Sequence, residues 1–296
     1  MIKPDRTLIK TIIFTLLALT AFAANSLLGR MALGGNTIDA ASFTSIRLLS
    51  GTLMLLLILK TKRPNNNNPG KGSWGAALML FTYAVTFSFA YITLETGTGA
   101  LILFAAVQIT MILWSLKSGN RLHLTEWLGL FIAFSGFVYL VSPGVTSPSL
   151  TGFLLMTMAG IAWGIYTLKG GNSKNPLIDT AFNFSRSILF VAVLLIMSFQ
   201  YANISYKGIV LAVLSGSITS GIGYAIWYRA LRGLSVTVAA VVQLSVPVFA
   251  TLGGVIFLSE QLGFRLLISS TLIIGGILAV ILGRYKFVTL GLNNKR

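Results

Sequence analysis

Apolar residues run along the chain in ten long blocks of about 19–25 residues, parted by short polar or turn-forming stretches. The blocks are Leu8–Gly29, Ala40–Leu59, Trp74–Leu94, Thr98–Leu116 and Leu124–Ser142, then Leu150–Leu168, Leu177–Phe199, Gly208–Tyr228, Leu234–Leu258 and Phe264–Gly283. Such lengths cross a hydrocarbon core of roughly 30 Å as a helix. Lipid demands the helix, because every backbone N–H and C=O must find its partner within the segment. The separators carry turn chemistry: Pro64 to Gly70 with an asparagine run inside it, Ser142-Pro143-Gly144, and Gly170-Gly171-Asn172 ahead of Pro176. The pattern predicts an all-α polytopic membrane protein with ten transmembrane helices.

Composition agrees. Of 296 residues, 55% are hydrophobic and only 9% are charged, against roughly 25% charged in a soluble domain. A net charge of +16 would suggest nucleic-acid binding in a soluble protein, but here the positive-inside rule accounts for it. With the N-terminus placed in the cytoplasm and the side alternating at each helix, seventeen Lys and Arg fall inside and three fall outside. The three are Arg30, Lys207 and Arg265; Arg47 and Arg186 lie within helices. Both termini are therefore expected in the cytoplasm, and the bilayer is expected to be a plasma membrane, the bacterial inner membrane. No nucleic-acid partner is expected. Lys3, Arg6 and Lys10 before an apolar run, with Ala21-Phe22-Ala23 after it, imitate a secretory signal. The run is longer than a signal's core and has a counterpart in the second half, so we read it as a retained first helix.

The halves resemble each other. Phe43-Thr44-Ser45-Ile46-Arg47 in the second helix lines up with Phe182-Asn183-Phe184-Ser185-Arg186 in the seventh, and Ala105-Ala106-Val107-Gln108 lines up with Ala240-Val241-Val242-Gln243. Gly119-Asn120-Arg121-Leu122 sits where Ser259-Glu260-Gln261-Leu262 sits. Five spans per repeat force opposite orientation, so the expectation is two inverted five-helix repeats, residues 1–143 and 150–286, followed by a cytoplasmic tail at 287–296. Inverted repeats are a mark of secondary transporters.

Motifs in the second half sharpen this. Gly160-Ile161-Ala162-Trp163-Gly164-Ile165-Tyr166 opens it; later come Gln243-Leu244-Ser245-Val246-Pro247-Val248-Phe249, then Leu258-Ser259-Glu260-Gln261-Leu262 and Gly275-Gly276-Ile277-Leu278. These are similar to the "EPVF…LGE.L…GG.LI" stretch of the drug/metabolite transporter superfamily, EamA type, which the chain resembles over nearly its whole length. Ala23-Ala24-Asn25-Ser26 stands where that family often has Trp-Gly-Ser-Asn. Val246 replaces the usual Glu before Pro247, and Ile112 stands where a matching Pro would fall. Gln108 to Gly119 is eleven steps against sixteen from Gln243 to Ser259, so the fourth helix is the shorter. The resemblance implies a ten-helix carrier that expels small metabolites, amino acids or related polar or amphipathic compounds.

Arg47 and Arg186 carry charges inside helices, which is expensive and marks a functional candidate. A guanidinium can grip a carboxylate or phosphate; it can also brace helix ends through backbone carbonyls. Asp39, Glu95, Glu126, Asp179 and Glu260 map to helix ends or loops, so the mid-membrane carboxylate common in proton-driven carriers is missing. That favours exchange or facilitated movement. With no cysteine and a single histidine, His123, at a helix end, hydrolytic and redox constellations cannot be assembled; no metal, cofactor or enzymatic activity is expected. On helices that line the family's central cavity, Asn25, Tyr83, Gln108, Trp163, Tyr166, Tyr224 and Gln243 are the substrate-binding candidates, with Gln108 facing Gln243 by pseudo-symmetry. The glutamines can also serve as interhelical glue. Tyr91, Trp114, Trp227 and Tyr228, near helix ends, read as interfacial belt residues, and Gly160 with Gly164 as a close-packing face. The expected function is a secondary transporter working by alternating access, in contact with a small-molecule substrate and the bilayer. A non-transporting receptor or scaffold is the alternative, and a membrane-embedded enzyme a weaker one. The sequence leaves monomer and homodimer both open.

Overall fold

The computed structural model describes residues 6–62, 70–117, 123–142, 147–170, 173–234 and 236–289. Most of the Pro64–Gly70 loop, Pro143-Gly144, Gly119 to Leu122 and Gly171-Asn172 lie outside the described residues. Ten helices follow one another: α1 (Arg6–Leu33), α2 (Ala40–Lys62), α3 (Trp74–Ala90), α4 (Thr96–Lys117), α5 (Leu124–Val141), α6 (Leu150–Gly170), α7 (Pro176–Ser198), α8 (Tyr206–Leu231), α9 and α10 (Phe264–Thr289). The ninth comes in two pieces, α9a (Val236–Gln243) and α9b (Val246–Leu258). Among the described residues nine helices are long and apolar enough to span a membrane, and α3, at 17 residues, is shorter.

The expected third span reached Leu94, and the structure ends its helix at Ala90. Thr93 and Leu94 both turn their N–H groups back to the Ala90 carbonyl. The Arg30 guanidinium of α1 takes the freed carbonyls of Tyr91 and Ile92 at 3.3 and 3.1 Å. At the other end Ser73 caps the helix, its hydroxyl accepting from Ala76 N–H. Two other spans are irregular in their middles. In α8 the small-residue run Ser215–Ile222 winds as a π-helix, a local widening that proteins commonly place at functional sites. In α9, Pro247 lacks the N–H that would bond the Gln243 carbonyl. Leu244 and Ser245 instead bond three residues back in a tighter turn, and the helix restarts at Val246.

Helices α1–α4 and α6–α9 make the body of the bundle, and α5 packs with α10 at its flank. The main contacts recur when the halves are exchanged: α1 on α9b matches α6 on α4, α3 on α6 matches α8 on α1, and α2 on α8 matches α7 on α3. Two aspartates show the same exchange at atomic level. Asp39, ahead of α2, accepts from Asn203 N–H in the loop before α8; Asp179, early in α7, accepts from Gly72 N–H in the loop before α3. Thr37–Asp39 and Asn203–Ser205 also exchange backbone hydrogen bonds as a single antiparallel bridge.

Lipid gives helices no hydrophobic reason to pair, so close backbone packing has to hold them. Gly160 and Gly164 of α6 fulfil the packing role read from their spacing, with the α4 carbonyls of Leu103 and Val107 in their path. The tightest flank contact joins α5 and α10, where Gly129 and Gly276 face each other's carbonyls. A methyl at Gly129 would stand 2.6 Å from the Gly276 oxygen. Gly276→Val is expected to cost about 1–3 kcal/mol by overpacking. It lowers the unfolding temperature of the purified protein.

Candidate functional site

In the second half of α1 the apolar run is broken by Asn25, buried and therefore in need of partners. It finds them on two helices of the body. Its carbonyl meets the hydroxyls of Ser215 and Thr219 in the π-segment of α8 at 2.8 and 3.2 Å, and its amide donates to the Tyr83 hydroxyl of α3 at 3.3 Å. Ser215 and Thr219, four residues apart, stand side by side toward α1. Tyr83 oxygen also accepts from Arg47 of α2 at 2.9 Å. Arg47 is 2% exposed, and its guanidinium carbon lies 5.1 Å from the Tyr83 ring centre and 4.7 Å from that of Phe87. Aromatic faces thus supply part of what water would have given the charge.

Beside this polar cluster stands an aromatic wall. Trp163 of α6 has the rings of Tyr83, Tyr166 and Tyr224 at 4.9, 5.3 and 5.1 Å, and Phe22 and Phe184 each lie 6.0 Å from Tyr224. Polar cluster and wall enclose a cavity lined by Asn25, Ser26, Tyr83, Trp163, Ser220 and Tyr224 with apolar neighbours. Its open volume is about 20 Å³, room for one water. Anything larger enters only if the helices around it move.

Six of the sequence candidates therefore gather here: Asn25, Arg47, Tyr83, Trp163, Tyr166 and Tyr224. Gln108 and Gln243 do not join them as a facing pair. Gln108 donates to the Ala240 carbonyl of α9a at 3.3 Å, and Gln243 turns back on its own helix to Ala239 at 3.1 Å, beside the break. Arg186 lies elsewhere. Its guanidinium donates to the Lys71 carbonyl and sits 5.6 Å from the Trp74 ring. With Asn183 and Asp179 one and two turns earlier, it clasps the loop that starts α3. Arg186→Gln is expected to reduce folded yield and stability by about 1–3 kcal/mol, read as a lower unfolding temperature of the purified protein.

Reasoning from sequence missed Ser215, Thr219 and Ser220; their signal was a polar run, Ser215 to Ser220, in an otherwise apolar span. It also misplaced three supposed belt aromatics. Trp227 is buried with its ring 5.7 Å from Phe22, and Tyr228 accepts from Thr180, which itself accepts from Tyr166. Tyr91 is likewise fully buried, whereas Trp114 is half exposed as a belt residue should be.

Above the cavity, at the Arg30 end of α1, the helices are tied together. Glu260, just past α9b, accepts from Thr96 N–H with both carboxylate oxygens (2.9 and 3.0 Å) and from the Thr96 hydroxyl at 3.0 Å. An anion there satisfies the first open N–H of α4 and meets the positive end of its dipole. Arg30 approaches the same carboxylate to 3.6 Å. Partial burial and the neighbouring Glu260 push the Glu95 carboxyl above the usual carboxylate range, against the pull of Arg30. Among the described residues no group of three or more His, Cys, Asp or Glu is placed to hold a metal.

The model of the EamA-like transporter family matches residues 9–142 and again 150–282. A protein of Pseudomonas aeruginosa described as uncharacterized is 46% identical over 281 residues, 95% of this chain and 96% of that one. An uncharacterized transporter of Archaeoglobus fulgidus is 28% identical over 192 residues, 62% of this chain and 66% of its own length. One crystal structure, 17% identical, superposes with a TM-score of 0.64 over 91% of this chain and 98% of its own. That likeness speaks for the fold alone.

Proposed function

The chain belongs to the EamA-like transporter family, and we propose that it is a secondary transporter that exports small metabolites by alternating access. Its substrates are amino acids or related polar and amphipathic compounds. The observation that carries this reading is the enclosed cavity where α1, α3, α6 and α8 meet, with hydrogen-bonding side chains on one wall and stacked aromatics on the other. Such a lining suits a molecule with one polar and one apolar part. Both walls draw on both halves of the chain, so a relative movement of the halves remodels the site.

In this reading the halves lie inverted in a bacterial inner membrane with both termini in the cytoplasm. The seventeen-to-three charge alternation supports the orientation, and the reciprocal Asp39 and Asp179 contacts support the exchange symmetry. The short α3 completes the tenth span: seventeen residues still reach the lower limit for crossing. The interrupted α8 and α9 are the irregular helices that carriers place around a midplane site. The Glu260–Thr96–Arg30 tie closes the outer end. Alternating access then requires that tie to break while the cytoplasmic side seals.

Overexpression in a host lacking its own exporters, scored against a broad panel of amino acids and toxic analogues, tests the proposal. Raised resistance with a matching rise of the compound in the medium is the expected result. Unchanged resistance and unchanged medium across the panel would count against export.

A further inference from the structure

Arg47 stands apart from the other basic residues described. It is 2% exposed, no carboxylate among the described residues lies within ion-pair distance of it, and one terminal nitrogen of its guanidinium has no hydrogen-bond partner. Three other described arginines use backbone carbonyls: Arg30 takes two at the end of α3, Arg186 takes that of Lys71, and Arg265 takes those of Leu140 and Ser142. Arg47 takes none. Its one hydrogen bond goes to the Tyr83 hydroxyl, and Tyr83 lines the cavity. A positive charge buried in a membrane without a counter-charge is a costly feature to keep, and bracing does not account for it here.

Tyr83 shows what the charge is for. Its oxygen accepts from Arg47 and from Asn25, which together use its two lone pairs. The phenolic proton is then left to point into the cavity, as a donor made stronger by the cation behind it. From this we infer that the central site takes an organic anion, a carboxylate whose oxygen accepts from the Tyr83 hydroxyl. The Arg47 charge, one hydrogen bond further back, is neutralised only when that anion is bound. The inference rests on the cavity being the substrate site, and it narrows the substrate class from polar or amphipathic to carboxylate-bearing. Arg47 is in this sense a positioning residue that sets specificity through Tyr83.

The test uses the purified full chain in detergent at constant ionic strength, with thermal unfolding as readout. The probes are benzoate against benzamide and phenylacetate against phenylacetamide, each at millimolar concentration; a ligand of the folded state raises the unfolding temperature by mass action. Each carboxylate is expected to stabilise the protein more than its amide. Arg47→Met is expected to unfold at or above the wild-type temperature without ligand, since it removes an uncompensated charge, and to lose the distinction between acid and amide. Arg47→Lys keeps the distinction in weakened form. A clear fall in the unfolding temperature of Arg47→Met would overturn the inference and make Arg47 a brace. If acid and amide act alike and Trp163→Ala removes both effects, the anion inference fails while the cavity remains the substrate site. If neither probe acts and Trp163→Ala changes nothing, the reading of the cavity falls with it.

Discussion

Liposomes carrying a Trp163→Ala variant are expected to transport substrate with a Michaelis constant raised roughly thirtyfold, for about 2 kcal/mol of lost interaction at the site. Trp163 is the shared neighbour of Tyr83, Tyr166 and Tyr224, with ring centres 4.9–5.3 Å away. It lines the cavity and is only partly buried, so truncation removes a wall of the site rather than a keystone of the fold. Trp163→Phe keeps an aromatic face and is expected to recover most of the affinity. Should Trp163→Ala purify normally and transport with unchanged kinetics, substrate does not pass this wall.

A second large effect is expected from locking α4 to α9b. A β-carbon placed at Gly97 would lie 2.9 Å from that of Thr251. A disulfide prefers about 3.8 Å, so a slight relaxation of the two helices admits one. The chain contains no cysteine, which makes Gly97→Cys with Thr251→Cys a clean pair. The bridge falls beside the Glu260–Thr96 tie, at the end of the bundle that the carrier must open. Oxidation of the pair is expected to stop transport, and a reductant to restore it. Undiminished transport by the fully cross-linked protein would show that α4 and α9b do not separate during the cycle.

The helices were legible because the solvent dictates them. Long apolar blocks in lipid have one backbone solution, and most observed ends fall within a few residues of the expected ones. Departures arose where a distant partner intervened. The third span stops at Ala90 because Arg30, some sixty residues earlier, satisfies its last carbonyls. Arg47 and Arg186 occupy matching places in matching motifs, yet only Arg47 joins the polar cluster beside the cavity, through Tyr83. The loop before α3 comes down along α7 and draws Arg186 to itself, whereas the counterpart loop before α8 is held by Asp39 and Asn203 and leaves Arg47 alone. Glu260 read as a turn residue; it acts on the start of α4 in the other half. Ser215 and Thr219 lie four residues apart on one face of their span, and only the approach of Asn25 from α1 makes them partners. Local pattern carried element type and length. Which polar groups share a site depended on contacts between the halves, and these leave little trace in a single sequence.

The central claim is that the chain carries its substrate through alternating exposure of one site. Counterflow tests it most directly. Proteoliposomes are loaded with an unlabelled amino-acid mixture, diluted into trace labelled amino acids one at a time, and followed for label inside. The account predicts saturable entry with a transient overshoot above equilibrium for at least one amino acid, lost in the oxidised Gly97→Cys, Thr251→Cys pair. Entry that rises linearly with concentration without overshoot, or no entry for any amino acid tried, would contradict it.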